Sequence, residues 1–398
     1  MSTDFGATLR SVVERYADAL IGLSHSIHAE PELAFREYRS VDKIVALLGA
    51  EGFEIERAVG GLDTAFTATY GSGELVVGLC AEYDALPEVG HACGHNVIAA
   101  AAAGAALGLR DLADRLGITV KLIGTPAEET GGGKILLLER GVFDDVALSM
   151  MVHPAPFESC ASTSLAIVDF EVHYRGRAAH AAAAPQLGVN AADAITVAQV
   201  AIGLARQHLE PNQLVSGIVT RGGTASNIVP DHTTAVFDLR AADFDSLARL
   251  DKRIRNCFEA GALATGCTHE IVQLSPTYAE LSPDSWLAAA YRRAVGEIGR
   301  SPISAEDELL LRIGSTDMGN VTRALPAIHP TLAIDCGDAV NHQTEFAAAC
   351  ASASADRAVL DGALAMALTT IAAASDAHQR SRLLSALAER SATSGGVA

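Results

Sequence analysis

Six side chains in four short segments have the types and spacing of a cation-binding centre. His91-Ala92-Cys93-Gly94-His95-Asn96 places a thiol and an imidazole two residues apart in a glycine-containing loop, where both can reach one metal ion. A thiolate is a strong ligand for zinc-like ions. Taken alone, the segment reads equally well as a buried cysteine beside loop histidines. Pro126-Ala127-Glu128-Glu129-Thr130-Gly131 follows the apolar run Ile118–Ile123. Adjacent carboxylates at the end of such a run repel each other and resist desolvation unless a cation shares the site. Neighbours on an extended segment point in different directions, so one glutamate can ligate while the other faces a substrate. The competing reading is a solvated turn. His153 closes the run Leu148–Val152, and His342 lies just after the β-prone run Thr331–Ile334; either one alone is equally an ordinary satisfied histidine.

These segments need elements that bring them together, and the order of elements supplies them. Helical spacing of apolar residues covers Leu9–Leu23 and Val41–Leu48, and the next β-prone runs are Ala65–Tyr70 and Leu75–Cys80, read as a hairpin across Gly71-Ser72-Gly73. Strands and helices then alternate through Asn96–Leu107 (helix), Ile118–Ile123 (strand) and Ala147–Val152 (strand). Alternation of this kind is the pattern of an α/β fold with a mostly parallel sheet. In such sheets ligands gather beyond the carboxyl ends of the strands, where Cys93, Glu129, His153 and His342 are all expected.

From about Ser164 the pattern changes to strand 165–174, helix 190–208, strands 214–220 and 234–240, helix 244–262 and strand 269–274. The order β-α-β-β-α-β is the ferredoxin-like split arrangement. The expected organisation is therefore a catalytic domain in two parts, 1–165 and 279–398, with an inserted ferredoxin-like α+β lid or dimerisation domain at 166–278. The second part carries helix 286–298, strand 331–334 and one long Ala-rich helix 346–374, and the tail after Ser391 is expected to fray.

Composition narrows the partners. A length of 398 residues exceeds one ordinary core, and 49% apolar residues with only 5% aromatics fit a compact, small-residue interior. The formal charge of −19 disfavours nucleic acid and anionic membranes, which need a basic footprint. The apolar stretches, such as Val97–Leu107, are too short or interrupted for a span of about 20 residues. The N-terminus lacks the basic and apolar regions of a secretory signal, so a cytoplasmic location is the default expectation. Seven scattered cysteines argue for reduced thiols.

The segments His28–Leu33, Glu82–Pro87, Gly90–Asn96, Pro126–Gly132, His180–Pro185 and Gly314–Asn320 keep an order and separation that resembles the metal-dependent aminoacylase and carboxypeptidase family. Within it, the chain is most similar to the amidohydrolase branch, with the aminobenzoyl-glutamate hydrolase B-subunit and β-alanyl-lysine dipeptidase group. The resemblance implies two divalent metal ions, zinc or manganese, held by Cys93, His95, Glu129, His153 and His342. It further implies Glu128 as general base, Asp84 as support for the metal site and His180 as a carbonyl-binding catalytic residue, often acting in the partner subunit of a homodimer. Asn227 and Arg240 match substrate-binding positions. Asn96 departs from the Asp of many family members, a change shared by the closer group.

The activity so implied is hydrolysis of an amide bond to an amino acid in a small-molecule substrate, N-acyl, aminobenzoyl or dipeptide. A dipeptidase or carboxypeptidase is the enzymatic rival. Cys93 favours the amidohydrolase branch, because peptidase branches use His and Asp at comparable places. A non-catalytic metal-binding protein of the same fold would have lost Glu128 or a ligand, and neither is lost. In the insert, His180 is otherwise a solvated loop histidine, and Arg240, which can grip a carboxylate through its guanidinium, reads equally as a surface ion-pair partner.

Overall fold

The computed structural model describes residues 2–308, 310, 311 and 313–394. The chain divides into two compact units, Met1–Thr163 with Leu281–Ala398, and Ser164–Glu280. These limits lie two residues outside the expected insert at each end.

The first unit begins with α1 (Ser2–His28), α2 (Tyr38–Ala50), β1 (Glu54–Arg57), β2 (Phe66–Tyr70), β3 (Leu75–Ala81), α3 (His95–Arg110), α4 (Ala113–Leu116), β4 (Ile118–Gly124), α5 (Gly133–Glu139), β5 (Leu148–Met150) and β6 (His153–Ala155). The second unit contains β7 (Ala166–Arg175), α6 (Ala191–Ala205), β8 (Leu214–Arg221), β9 (His232–Ala241), α7 (Phe244–Thr265) and β10 (Thr268–Gln273). The chain then returns to the first unit as α8 (Ser285–Glu297), α9 (Ala305–Glu308), α10 (Met318–Ala324), β11 (Ala327–Ile328), β12 (Thr331–Ala333), α11 (Thr344–Ala349), α12 (Ala353–Ser375) and α13 (Ala377–Ser394).

The main sheet has the order β1-β2-β4-β3-β5-β11, with β4, β3, β5 and β11 parallel and β1 and β2 antiparallel. This corrects the expected hairpin: β2 and β3 do not pair, because β4 lies between them. The turn after β2 instead crosses the start of β4, where Thr119 Oγ1 donates to Gly73 O at 2.7 Å and any side chain on Gly73 would collide with the Gly117 backbone. The run ending at His153 is also divided. β5 pairs with β11 in the main sheet, whereas β6 pairs in parallel with β12, His153 opposite Thr331.

Small residues set how closely the helices pack. α3 is buried along nearly its whole length, and a methyl group at Gly104 would stand 2.8 Å from Ala363 Cβ of α12. The Ala- and Gly-rich sequence thus lets two backbones approach closely. α12 is 23 residues long and apolar enough by composition to cross a membrane, contrary to the sequence expectation that every apolar stretch is too short. In this fold it is a core helix packed on α3, α1 and α8, with 67% of its most apolar window buried. The expected single helix 346–374 is broken at Cys350–Ser352, where Ser352 caps α12 by accepting from Ala355 N. The tail expected to fray is helical through Ser394, and its last residues lie outside the described range.

In the second unit the sheet order β10-β7-β9-β8 is antiparallel throughout, the ferredoxin-like arrangement. β7 alternates buried and half-buried residues, and α6 and α7 supply the rest of that unit's core. Helix starts are set by local chemistry: Asn190 caps α6 and Asp243 caps α7 through side-chain acceptors.

Candidate metal centre

Four loops of the first unit converge on one cluster of ligand atoms. Gly94, with φ +77°, turns the chain into α3 between Cys93 and His95; a side chain there would collide with Pro154, next to His153. His342 also adopts a left-handed backbone, φ +73°, and its N–H donates to Ala92 O at 2.9 Å, which fixes it over the Cys93 loop. Its Nε2 lies 3.1 Å from Cys93 Sγ and 3.6 Å from Glu129 Oε2. Cys93, His95 and His153 each offer a ligand atom within 4.8 Å of the others, as do Cys93, Glu129 and His342, so the thiol is common to two sets of three. His95 Nε2 is also 3.9 Å from carboxylate oxygens of both Glu128 and Glu129.

The ring orientations suit metal binding. Asp84 faces His95 Nδ1 through both its backbone oxygen, at 2.8 Å, and Oδ1, at 3.0 Å, which places the proton on Nδ1 and leaves Nε2 as the lone-pair donor. Likewise His153 Nδ1 donates to Pro154 O at 2.8 Å. His95 Nε2 and Glu129 Oε1 are buried polar atoms that make no hydrogen bond, their nearest charged neighbours being each other and, for His95, Glu82 and Glu128. A divalent cation satisfies both, and the set of thiolate, imidazoles and carboxylate suits zinc-like ions. Asp84 does two jobs, since its Oδ2 accepts from Glu129 N at 3.1 Å.

Electrostatics of the protein groups show what a cation must offset. Burial, followed by the charges of Glu82, Glu129 and Asp317, holds the Glu128 carboxyl well above the usual range. Burial also pushes the Cys93 thiol well up. Burial alone would lower His95, but Asp84 outweighs it and holds the imidazole well above its ordinary value. His153 is pushed down to about 3, by burial first and then by neighbouring His329. Ligated cations invert this logic by favouring thiolate, carboxylate and neutral imidazole.

Beneath the ligands lies a cluster that sequence reasoning missed. Lys134, fully buried, donates from Nζ to Glu82 Oε1 at 2.5 Å and Asp317 Oδ1 at 2.7 Å, and its backbone N–H donates to Asp317 Oδ2 at 2.9 Å. Glu82 Oε2 is 3.3 Å from His95 Nε2. Asp317 thereby gives the Gly314–Asn320 segment a position at the floor of the site. The available signal was Lys134 itself, a lone charge opening the apolar helix Gly133-Lys134-Ile135-Leu136-Leu137-Leu138, which if buried must be paired. His329, whose ring is 5.4 Å from that of His153, was likewise not foreseen.

The remaining expected site residues belong to the second unit. His180 is exposed, and its Nδ1 accepts from Ala182 N at 3.2 Å and Ala183 N at 3.1 Å. Two donors on Nδ1 fix the proton on Nε2, so the ring presents an N–H outward. Asn227 is its neighbour, as Ala181 N donates to Asn227 O at 2.9 Å. Arg240 is not brought to them. It pairs with Asp238 at 3.1 Å and lies opposite Leu214, at the far end of β9 from the loop that carries Asn227. Eight residues of strand separate it from His232, roughly 26 Å at about 3.3 Å per residue.

Known proteins resemble this chain in sequence and in fold. Residues 165–265 match the peptidase dimerisation domain of the M20 family. The mouse (Mus musculus) Xaa-Arg dipeptidase is 38% identical over 374 residues, covering 90% of this chain and 86% of that protein. The p-aminobenzoyl-glutamate hydrolase B-subunit of Escherichia coli is 30% identical over 315 residues, 74% of this chain and 64% of that one. Among solved structures, a dinuclear metal binding peptidase of the M20 family from Bacillus subtilis superposes with a TM-score of 0.68 at 21% identity, covering 91% of this chain and 99% of that one, a likeness of fold. With this similarity over nearly its whole length and the dimerisation-domain match, the chain belongs to the M20 family of peptidases and amidohydrolases. It is a hydrolase of amide bonds.

Proposed function

We propose that the chain cleaves the amide bond of a dipeptide or N-acyl amino acid with two divalent cations, zinc or manganese, bound by Cys93, His95, Glu129, His153 and His342. The observation that carries this reading is Cys93 Sγ standing in both ligand sets, His95 and His153 in one, Glu129 and His342 in the other. The cations would supply Lewis-acid polarisation of the scissile carbonyl and an acidified water. Glu128, buried and 3.9 Å from His95 Nε2, takes the proton of the attacking water and passes it to the leaving amine. His180, its Nε2–H directed outward, donates to the developing oxyanion, and Asn227 contacts the substrate beside it. Arg240, paired with Asp238, is left out of this proposal.

The name of the mouse relative favours a dipeptide as substrate. A homodimer fits the second unit: β8 is an edge strand with Leu214, Ile218 and Val219 exposed, and α6 exposes Val200 and Leu204. His180 then serves the partner's site. Elemental analysis paired with a panel of dipeptides ending in Arg or Lys, aminobenzoyl-glutamate and N-acetyl amino acids, before and after chelation, tests the whole reading. Two metals per chain with chelator-sensitive cleavage are expected; turnover that survives metal removal overturns it.

A further inference from the structure

The segment Glu30–Ser40 has no role in the mechanism above, yet it grips both loops that deliver the centre. Ala85 N, next to Asp84, donates to Glu32 O at 2.8 Å. Phe35 and Ala127 are both non-glycine residues in the left-handed region, with φ +60° and +58°. Each conformation is strained and persists only where the surroundings enforce it. One group enforces both: Glu37 Oε1 accepts from Phe35 N at 2.9 Å and from Ala127 N at 2.9 Å, although these residues are 92 positions apart in the chain. Glu37 is fully buried. Ala127 immediately precedes Glu128, so its backbone direction sets where Glu128 and Glu129 point. The ring of Phe35 closes the other side of the same loop, filling the space beside Gly131 so that a side chain there would collide with it. Gly131 N in turn donates to Ala127 O at 3.0 Å.

We infer that Glu37 is a positioning residue, a latch that holds the strained Ala127 peptide and so aims Glu128 at the substrate. The inference rests on the proposed role of Glu128 as base. The latch needs an acceptor oxygen and no negative charge, which makes the conservative variant informative: Glu37→Gln keeps Oε1, whereas Glu37→Ala removes it. Misplacing a reacting group by about 1 Å costs about 10²-fold in rate. Glu37→Ala is therefore expected to lower kcat about 10²-fold, with KM and bound metal within about twofold of wild type, and Glu37→Gln to regain most of the loss.

A residue that merely supports the fold would lower thermal stability or metal content in step with activity and would not be rescued by Gln. Gly131→Ala provides a second variant that retains every polar group but displaces the Phe35 ring; it is expected to lower kcat while the protein stays folded and metal-loaded. Wild-type kcat in both Glu37→Ala and Gly131→Ala, loss of metal parallel to loss of activity, or no rescue by Gln overturns the latch. Should the wild-type chain hydrolyse none of the panel, the functional reading fails by itself, and amide hydrogen exchange still judges the latch. Exchange at Ala127 is expected to be slow in wild type and in Glu37→Gln and fast in Glu37→Ala; equal exchange in all three overturns it.

Discussion

The two units handle their polar side chains in opposite ways. In the first, the groups beneath the candidate ligands are buried and mutually dependent: Glu82, Lys134, Asp317 and His95 have no solvent exposure and each is held by charges from other loops, although His342 at the rim is exposed. In the second, His180 and Asn227 stand on exposed loops, held by hydrogen bonds from backbone N–H groups of Ala181, Ala182 and Ala183. A buried charged site must be complete within its own fold, since an unpaired buried charge costs several kcal/mol. An exposed donor has no such requirement, and it can be lent to another molecule.

Variants can test that contrast from both sides. The largest effect is expected at Glu128→Ala, which should lower kcat by about 10²–10⁴-fold while metal content holds, as removal of a general base does; near wild-type turnover would take Glu128 out of that role. Lys134→Met leaves Glu82 and Asp317 buried without their counter-charge and should cost about 3–5 kcal/mol in urea unfolding. An unchanged midpoint would mean that the cluster is not the rigid floor described here.

Three buried imidazoles make the metal-free first unit sensitive to acid. His91 and His153 are held at about 3 and His329 at about 4, all below the ordinary 6.5, chiefly by burial. The unfolded chain binds more protons in that interval, so their contribution is full above pH 6.5 and is lost as pH falls towards the folded values. The raised carboxyls of Glu37, Glu128 and Asp317 act in the opposite sense over the same interval, so the rings are best read directly: histidine resonances of apo-protein should show these three imidazoles still neutral between pH 7 and 5, and titration near 6.5 would contradict their burial as neutral groups.

In the second unit neither variant should disturb folding, and one should leave activity almost unchanged. Arg240→Ala should alter kcat/KM by less than about twofold and stability within about 0.5 kcal/mol, as for a surface ion pair. His180→Ala should fold normally yet lose turnover, and mixing it with Glu128→Ala should restore activity in hybrid dimers. Hybrids confirmed as mixed but inactive would mean that His180 serves no neighbouring site.

Much of the first unit's site was legible from residue types. Cys93 with His95, and Glu128 with Glu129, are combinations that ordinary packing rarely favours, and both pairs lie where the alternation of strands and helices puts strand ends. The ferredoxin-like order of the insert was legible too, because alternation in β7 and the capped helices α6 and α7 are local signals. The hairpin failed because pairing partners are non-local: two β-prone runs and a glycine turn specify a bend, and only the later arrival of β4 decides what each strand pairs with. Asp317 and His329 were silent as chemistry for a related reason, since one charge or one imidazole carries no signature until its burial is known, and Lys134 gave only the hint of a lone charge opening an apolar helix.

Residue identity, short-range order and the family resemblance were enough to indicate hydrolysis of an amide bond, a set of candidate ligands and the two-part organisation. Packing of the folded chain was needed to set Cys93 between two ligand sets, to bury a lysine that balances two carboxylates below them, to hold Arg240 apart from Asn227 and to join two strained backbones through Glu37. Each of those facts is a distance between residues far apart in the chain, and such distances are set only when the core has packed.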